Sequence, residues 1–300
     1  KAKEILLLLK DWSISHNYPF YFSTEASINL ADEPELLALM RDLDFRYVFV
    51  GIESPDPEIL KAANKLQNVN RKITESLDKI YEHGMVVNAG LIIGFDKETS
   101  ETARLIIETI ENGKIAMPMI GLLYALPNTQ LAKRLLSENR MKDDSTLMKD
   151  SQAVDQTTTG LNFITLHPKV EIQNDFMFIL NSVYDTKNYF NRILRLSKRL
   201  RPAPKQKRTF KQIFKSAKAF FKLIFVIALN SKRAYYFWRN TLILLFSKPS
   251  AVETAVNLMA MHLHFKKQVL FITQGMQKKN TALQNAESQN FEKKLISQSE

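Results

Sequence analysis

Strand-like and helix-like stretches alternate four times in the first half of this chain. The predicted strands are Phe20–Thr24, Tyr47–Ile52, Met85–Ile93 and Met119–Leu126. Each is followed by apolar residues at helical spacing, within about residues 31–43, 57–83, 99–111 and from 131 onward. Such alternation predicts an α/β fold with a parallel sheet, and the apolar strands fit a sheet with both faces covered. Part of a barrel and an open doubly wound sheet both satisfy the pattern.

Residues that typically start or end helices lie between these segments and support the same assignment. Asp56 followed by Pro57 is typical of a helix start, with the aspartate as N-cap and the proline in the first turn. Gly84 stands where a left-handed residue would end the preceding helix. No strand is followed by a GxGxxG or GxxxxGK[ST] loop, which weakens the nucleotide-binding folds as alternatives.

Polar and small residues follow each predicted strand, at the edge where parallel sheets bind their ligands. Glu25 follows the first strand, Glu53 the second, Gly94 the third, and Tyr124 lies near the end of the fourth. We expect the two glutamates to converge and to accept hydrogen bonds from a ribose diol or an amino group. The alternative is that both carboxylates are solvated and only cap turns.

The chain contains no cysteine, so it has no thiolate to offer a metal and no disulfide. His262 and His264 are two residues apart, which on a helix places them on different sides. We therefore interpret them as packing or surface residues and predict no metal site in this chain.

Four sequence segments, in order, resemble a known enzyme family. They read YFSTEASINLADEPELLALM, VFVGIESPDPEIL, NAGLIIGFDKET and GLLYALPNTQL. Together they are similar to the later half of the radical S-adenosylmethionine (SAM) core in cobalamin-binding members such as the hopanoid methylases. The resemblance implies the later βα units of a partial (β/α)6 barrel, followed by a mainly α-helical basic domain.

The resemblance also implies roles for individual residues. Glu53, flanked by Gly51 and Ser54, would contact the ribose or methionyl part of S-adenosylmethionine. The strand that contains Gly90, Ile92 and Gly94 would pack its backbone against the adenine. Further positions follow from the same likeness: Tyr124 near the adenine, Glu25 near the cofactor or substrate, and Glu98 in the place of the glutamate that follows this strand in the family.

In the complete family enzyme, a [4Fe-4S] cluster cleaves S-adenosylmethionine and the resulting 5'-deoxyadenosyl radical abstracts a substrate hydrogen, before cobalamin-dependent methyl transfer to carbon. The CxxxCxxC loop and the cobalamin domain are absent from this sequence. We therefore expect cluster and cobalamin only in a complete protein and predict that this chain alone is inactive, as a fragment or a degenerate gene product. A non-catalytic binding or scaffold module derived from the family is the alternative.

Charge divides the chain into two unlike halves. Residues 1–150 hold 18 lysines and arginines against 23 acidic residues, whereas residues 151–300 hold 24 against 8. We predict that residues 1–136 form the C-terminal part of the barrel, 137–200 a connecting extension, 201–276 a basic helical domain and 277–300 a disordered tail.

The basic half faces something anionic in our interpretation. It fits a membrane-surface protein, with Tyr235 to Trp238 at the interface, or a helical core with a solvated basic face. Nucleic-acid binding is disfavoured, because no recognition module is present. The substrate of the complete enzyme would be a small or lipid-like molecule, and the expected location is the cytoplasm, with peripheral contact to an anionic membrane.

Overall fold

The computed structural model describes residues 1–63, 65, 68, 69, 71–142, 160–203, 222–227 and 230–297, with backbone only for 279–297. Part of the predicted extension (143–159) and part of the predicted basic domain (204–221, 228 and 229) therefore lie outside the described residues.

The described fold contains four strands and ten helices with defined bounds, and residues 222–227 are helical as well. The strands are β1 (Phe22–Ala26), β2 (Phe45–Glu53), β3 (Val86–Ile93) and β4 (Met117–Leu122). The helices are α1 (Ala2–Ser15), α2 (Pro34–Asp42), α3 (Pro57–Ala62), α4 (Ile73–Glu82), α5 (Thr102–Asn112), α6 (Gln130–Ser137), α7 (Lys169–Val183), α8 (Thr186–Arg199), α9 (Ser231–Ser247) and α10 (Val252–Ser297). Short 3-10 turns cover Ile28–Asp32 and Pro249–Ala251. Within the described part of the chain, no helix meets the length and apolarity needed to cross a bilayer.

The strand order decides between the two predicted sheet types. All neighbouring strands are parallel, and their order across the sheet is β1-β2-β3-β4, the same as their order along the chain. A doubly wound sheet reverses direction at a switch point, and this sheet has no such reversal. The fold is therefore mixed α/β with part of a barrel, as predicted.

The two faces of the sheet differ in what covers them. On β2, Val48, Val50 and Ile52 are fully buried, on the face where α2 and α4 pack. The alternate residues Phe49 and Gly51 are only partly buried and lie on the opposite face, because strand side chains alternate. That open face corresponds to the inside of a barrel.

Helices α7–α10 continue the same hydrophobic core rather than forming a separate one. Helix α7 packs on α5, and α8 packs on α4, α9 and α10. The Tyr184 hydroxyl donates to the Pro118 carbonyl of β4 at 2.6 Å, which fixes α7 and α8 to the sheet. The predicted boundaries at residues 136 and 200 stay predictions, and the packing is continuous across the second.

The ends of two elements differ from the sequence-based prediction by four residues or more. Strand β4 ends at Leu122, four residues early, because the Leu123 carbonyl accepts from the Leu161 amide and the chain turns away. The backbone of α10 is helical through Ser297, where we expected a disordered tail. Residues 277–297 contain no glycine or proline, so their polarity is compatible with an exposed helix.

Local start and stop signals were predicted correctly. The Asp56 carboxylate accepts from the Glu58 amide at 2.8 Å and caps α3. Gly84 has φ +86° directly after α4, in the left-handed region.

Candidate functional site

A strained turn at Glu53 ends strand β2 at the carboxyl edge of the sheet. Glu53 has φ +68°, and the Ser54 amide donates to the Ile52 carbonyl at 2.9 Å. This three-residue bond around a positive φ is the rarer, strained form of γ-turn. The β2–β3 register also shifts between Gly51 and Glu53, which marks a bulge. Bulges re-aim side chains near binding sites, and backbone strain concentrates at such sites.

The turn folds the Glu53 carboxylate back over Gly51. A Cβ atom at Gly51 would stand 2.7 Å from Glu53 Oε1, so only glycine leaves room for the carboxylate in this position. The Lys65 ammonium lies 3.1 Å from the same oxygen. Glu53 keeps 18% of its side-chain exposure, so the carboxylate is held in place and still reachable.

Asn68 supports the turn through hydrogen bonds to its backbone. Its side-chain amide donates to the carbonyls of Gly51 (3.1 Å) and Ile52 (3.2 Å), two acceptors at the bulged end of β2. Asn68 is 4% exposed, and its own Oδ1 has no partner in the part of the chain that the structure describes. Asn68 therefore supports the backbone that aims Glu53.

Glycines form a low floor on the open face of the sheet. Gly51 and Gly90 are direct neighbours across β2 and β3. The Phe49 ring lies over Gly90, where an added Cβ would come within 3.0 Å of the ring. Ile92 is half-buried further along the same face of β3. Gly90 therefore leaves room for the Phe49 ring, and a flat group such as a purine would reach the backbone of this floor beside that ring.

The loop after β3 is organised by Glu98. The Gly94 amide donates to Glu98 Oε1 at 2.7 Å, and Gly94 has φ +111°. A larger residue at Gly94 would be strained at this φ, and its Cβ would stand 2.6 Å from Leu161 Cδ2. Burial raises the pKa of Glu98 to about 7, against the lowering effect of the Gly94 and Phe95 amides.

An ion-pair cluster anchors the same loop to α6 and to the residues that follow this helix. Asp96 pairs with Arg140 at 2.6 Å and with Arg134 at 2.8 Å. The hydrogen bond from Arg140 lowers the pKa of Asp96, so this carboxylate is ionised at neutral pH. The carboxylate of Asp96 therefore holds the loop through these two ion pairs.

Asn162 positions the segment after β4. Its side-chain oxygen accepts from the Ala125 amide at 2.8 Å, and its amide donates to the Ala125 carbonyl at 3.0 Å. These two hydrogen bonds to Ala125 fix the backbone beside Tyr124, which is half-buried. Tyr124 therefore lies at the carboxyl edge of the sheet, as its position in the sequence predicts.

Glu25 and Glu53 lie at different levels along the strands. Glu25 pairs in register with Phe49, four residues before Glu53, which is about 13 Å of strand rise between the two backbones. The Glu53 carboxylate is folded back to the level of Gly51, and the convergence of the two carboxylates stays a prediction. Glu25 is exposed on the edge strand β1, because β1 ends at Ala26 while β2 continues to Glu53.

Ser54 is turned away from the open face. It is fully buried, and its hydroxyl oxygen accepts from the Asp56 amide at 3.2 Å. The serine therefore links the Glu53 turn to the start of α3 and is not available to a ligand.

The donor set of this edge fits an organic cofactor and does not fit a metal cluster. A carboxylate held over a glycine floor can accept hydrogen bonds from ribose hydroxyls or an ammonium group. An iron–sulfur cluster needs thiolates, which these 300 residues lack, and no three metal-binding side chains come together in the described part of the chain. His262 is buried beside the Tyr184 carbonyl (3.2 Å), whereas His264 is exposed.

Sequence reasoning missed the residues that support the site. Lys65, Asn68, Asn162 and Arg140 lie in loops, and their contacts span 12 to 44 residues of sequence. The only local signal was the polar run around Asn68, directly after α3 and at the edge where ligands were expected.

Two family matches divide the chain. Residues 2–110 match the radical SAM superfamily, and residues 129–278 match a domain of unknown function, DUF4070. The site described above lies mostly in the first match, and Asn162 reaches it from the second.

Three relatives with sequence similarity carry the name of a methyltransferase or methylase. An uncharacterized methyltransferase of Synechocystis sp. is 37% identical over 265 residues, which is 88% of this chain and 48% of the relative. The hopanoid C-2 methylase of Rhodopseudomonas palustris is 36% identical over 169 residues, or 56% of this chain and 30% of the relative. The bacteriochlorophyllide d C-12(1)-methyltransferase of Chlorobaculum tepidum is 25% identical over 108 residues, or 36% and 24%. The chain thus spans at most about half the length of these relatives.

Proposed function

The chain belongs to the radical SAM superfamily, with a DUF4070 domain after its barrel region, and we propose that the carboxyl edge of its sheet binds S-adenosylmethionine. The single observation that carries this proposal is the Glu53 turn. A strained backbone, a bulge and a buried asparagine together hold one carboxylate over a glycine, an arrangement that the packing of the fold alone does not require.

Each part of the cofactor has a matching surface at this edge. Glu53, whose carboxylate lies beside the Lys65 ammonium, would accept from the ribose hydroxyls or the methionyl ammonium. The adenine would lie along Gly90, Ile92 and Gly94, with Tyr124 beside it. Glu25, about 13 Å from Glu53 along the strands, would face the substrate rather than the cofactor.

The proposed reaction of the complete protein is methylation of a carbon atom. This rests on the printed names of the relatives, which are a methylase and methyltransferases. A [4Fe-4S] cluster and S-adenosylmethionine would supply radical chemistry, and cobalamin the methyl transfer. Thiolates for the cluster would have to come from outside these 300 residues. The residues of this chain bind, orient and shield.

The substrate proposed is large and apolar. Hopanoids and bacteriochlorophyllides, named in two relatives, are both bulky ring systems. The exposed Glu25 and the open face around Phe49 leave room for such a molecule beside the cofactor.

The test uses the complete reading frame that encodes this chain, produced anaerobically and reconstituted with iron, sulfide and cobalamin. We expect 5'-deoxyadenosine to form from S-adenosylmethionine, and Glu53→Gln to slow its formation at least tenfold, because the variant loses a charge-assisted hydrogen bond. Glu108→Gln is the matched control, since Glu108 is an exposed residue of α5 paired with Arg104. Equal rates in all three proteins would refute the assignment of Glu53.

The second candidate is a non-catalytic binding module derived from the family, the alternative that the sequence left open. It predicts no 5'-deoxyadenosine from the reconstituted protein and no change in S-adenosylmethionine binding after Glu53→Ala.

A further inference from the structure

Helix α9 has two apolar faces, of which only one is used for packing. Phe237, Asn240, Thr241 and Leu244 are buried, and they follow helical spacing along the face toward α8 and α10. A helix that is apolar all round is normally enclosed by protein or by lipid. The outer face of α9 is enclosed by neither in the described structure.

Five large apolar residues form a stripe on this outer face, which we name the α9 stripe. At 100° per residue they fall within an arc of about 100°. They are Tyr235, Trp238, Leu242, Leu245 and Phe246. Phe246 is 89% exposed and Trp238 41%. Single exposed apolar residues are common on proteins, but a contiguous stripe of five marks an interaction surface.

The stretch of sequence that contains the α9 stripe is cationic. Residues 187–251 contain 17 lysines and arginines and no acidic residue. The Arg239 guanidinium lies 4.9 Å from the ring centre of Tyr236 and 6.0 Å from that of Tyr235, which puts a positive charge at the border of the stripe. Lys248 follows the helix, and Lys232, which pairs with Asp185 at 3.1 Å, precedes the stripe by one turn.

We propose that the α9 stripe inserts into the interface of an anionic lipid bilayer. Tryptophan and tyrosine favour the boundary between headgroups and acyl chains, and leucine and phenylalanine the region just below it. Lysine and arginine beside the stripe are attracted to anionic headgroups. A second copy of this chain is a poorer occupant, because two cationic surfaces of the same kind would repel each other. This binding is independent of the S-adenosylmethionine site.

The test follows the two tryptophans of the chain separately. Trp12 lies on α1 and Trp238 in the α9 stripe. In the Trp12→Phe variant we expect the emission of Trp238 to shift to shorter wavelength and to be quenched by vesicles of 3:1 phosphatidylcholine and phosphatidylglycerol with brominated acyl chains. In the Trp238→Phe variant, Trp12 should respond to neither.

Sedimentation with the same vesicles measures the binding itself. The Trp238→Ser/Phe246→Ser double variant should lower the bound fraction at least tenfold, while binding to pure phosphatidylcholine stays weak for all proteins. Phe178→Ser is the matched control, because Phe178 is an exposed phenylalanine on α7. Circular dichroism establishes that each variant is folded, which the exposure of all three residues leads us to expect.

Three results would overturn the proposal. One is the absence of binding to anionic vesicles at low salt. Another is quenching of Trp12 in place of Trp238, which would move the contact to α1. The third is a dimer in light scattering that the double variant abolishes, with no vesicle binding, which would make a second copy the occupant.

Discussion

At the scale of single residues, Glu53 separates what the fold needs from what the site needs. A non-glycine residue at φ +68° costs roughly 1 kcal/mol of stability relative to glycine. The strain persists because Gly51, Asn68 and the bulge define the turn around it. A carboxylate kept at this cost is expected to serve a ligand.

Replacement of Glu53 tests this separation. Glu53→Gly should exceed Glu53→Ala in free energy of unfolding by about 1 kcal/mol, because glycine adopts positive φ without strain. Both variants lose the ion pair to Lys65, so that loss cancels in the comparison. Urea unfolding curves measure the difference, and an alanine variant as stable as the glycine variant would show that the turn is not strained.

Glu98 makes stability depend on pH near neutrality. Its pKa is raised from about 4.5 to about 7 by burial, so the folded state binds the proton more tightly than the unfolded chain. The free energy of unfolding should therefore fall as pH rises from about 4.5 to 7, by up to about 3 kcal/mol. In Glu98→Gln, which is neutral at every pH, this fall should disappear.

Comparison of urea midpoints at pH 5, 6, 7 and 8 measures the effect as the difference between the two proteins. The neighbouring Asp175 raises the Glu98 pKa further through its charge, so Asp175→Asn should move the fall to lower pH. Parallel pH curves for the original chain and Glu98→Gln would contradict the assignment.

At the scale of elements, the strands and helix caps were predictable because their signals are local. Asp56 and Gly84 act through bonds or angles within four residues, and the buried strands are marked by their own composition. The length of β1 relative to β2 depends on register across the sheet, which no single strand encodes. For that reason the sequence did not show that the Glu25 backbone lies level with Phe49 rather than with Glu53.

One carboxylate links α5 of the barrel region to α8 of the later helices. Glu111, at the end of α5, pairs with the fully buried Arg192 and with Arg195 of α8. The Arg192 guanidinium also donates to the Val183 carbonyl at 3.0 Å and lies 5.3 Å from the Tyr189 ring centre. A buried charge without its partner is costly.

Glu111→Ala should therefore lower the free energy of unfolding by about 3 kcal/mol. Combining it with Arg192→Met should recover part of that loss, since the uncompensated charge is removed as well. Urea unfolding of the single and double variants measures both effects. A double variant whose loss equals the sum of the two single losses would argue against a coupled pair.

At the scale of the whole molecule, the charge asymmetry of the two halves has an internal use. Part of the basic half pairs with the acidic half, through Arg192 and Arg195 on Glu111 and Arg199 on Asp78 and Glu82. The sequence predicted an anionic partner for the basic half. These ion pairs show that acidic residues of the same chain are one such partner. The α9 stripe lies beyond these pairs.

One core and these ion pairs predict that both family regions unfold together. Trp12 reports on the first region and Trp238 on the second, so single-tryptophan variants should give coincident urea transitions. Two separated midpoints would show instead that the radical SAM and DUF4070 regions are independent folding units.

The central claim is that the strand-end edge around Glu53 holds S-adenosylmethionine. Its most direct test is the dissociation constant of S-adenosylmethionine for the reconstituted complete protein, measured by equilibrium dialysis for the original, Glu53→Gln and Glu108→Gln forms. We predict a constant at least tenfold higher for Glu53→Gln, because a charge-assisted hydrogen bond contributes about 1.5–3 kcal/mol. The Glu108→Gln form should bind as the original does. An unchanged constant in Glu53→Gln would contradict the account.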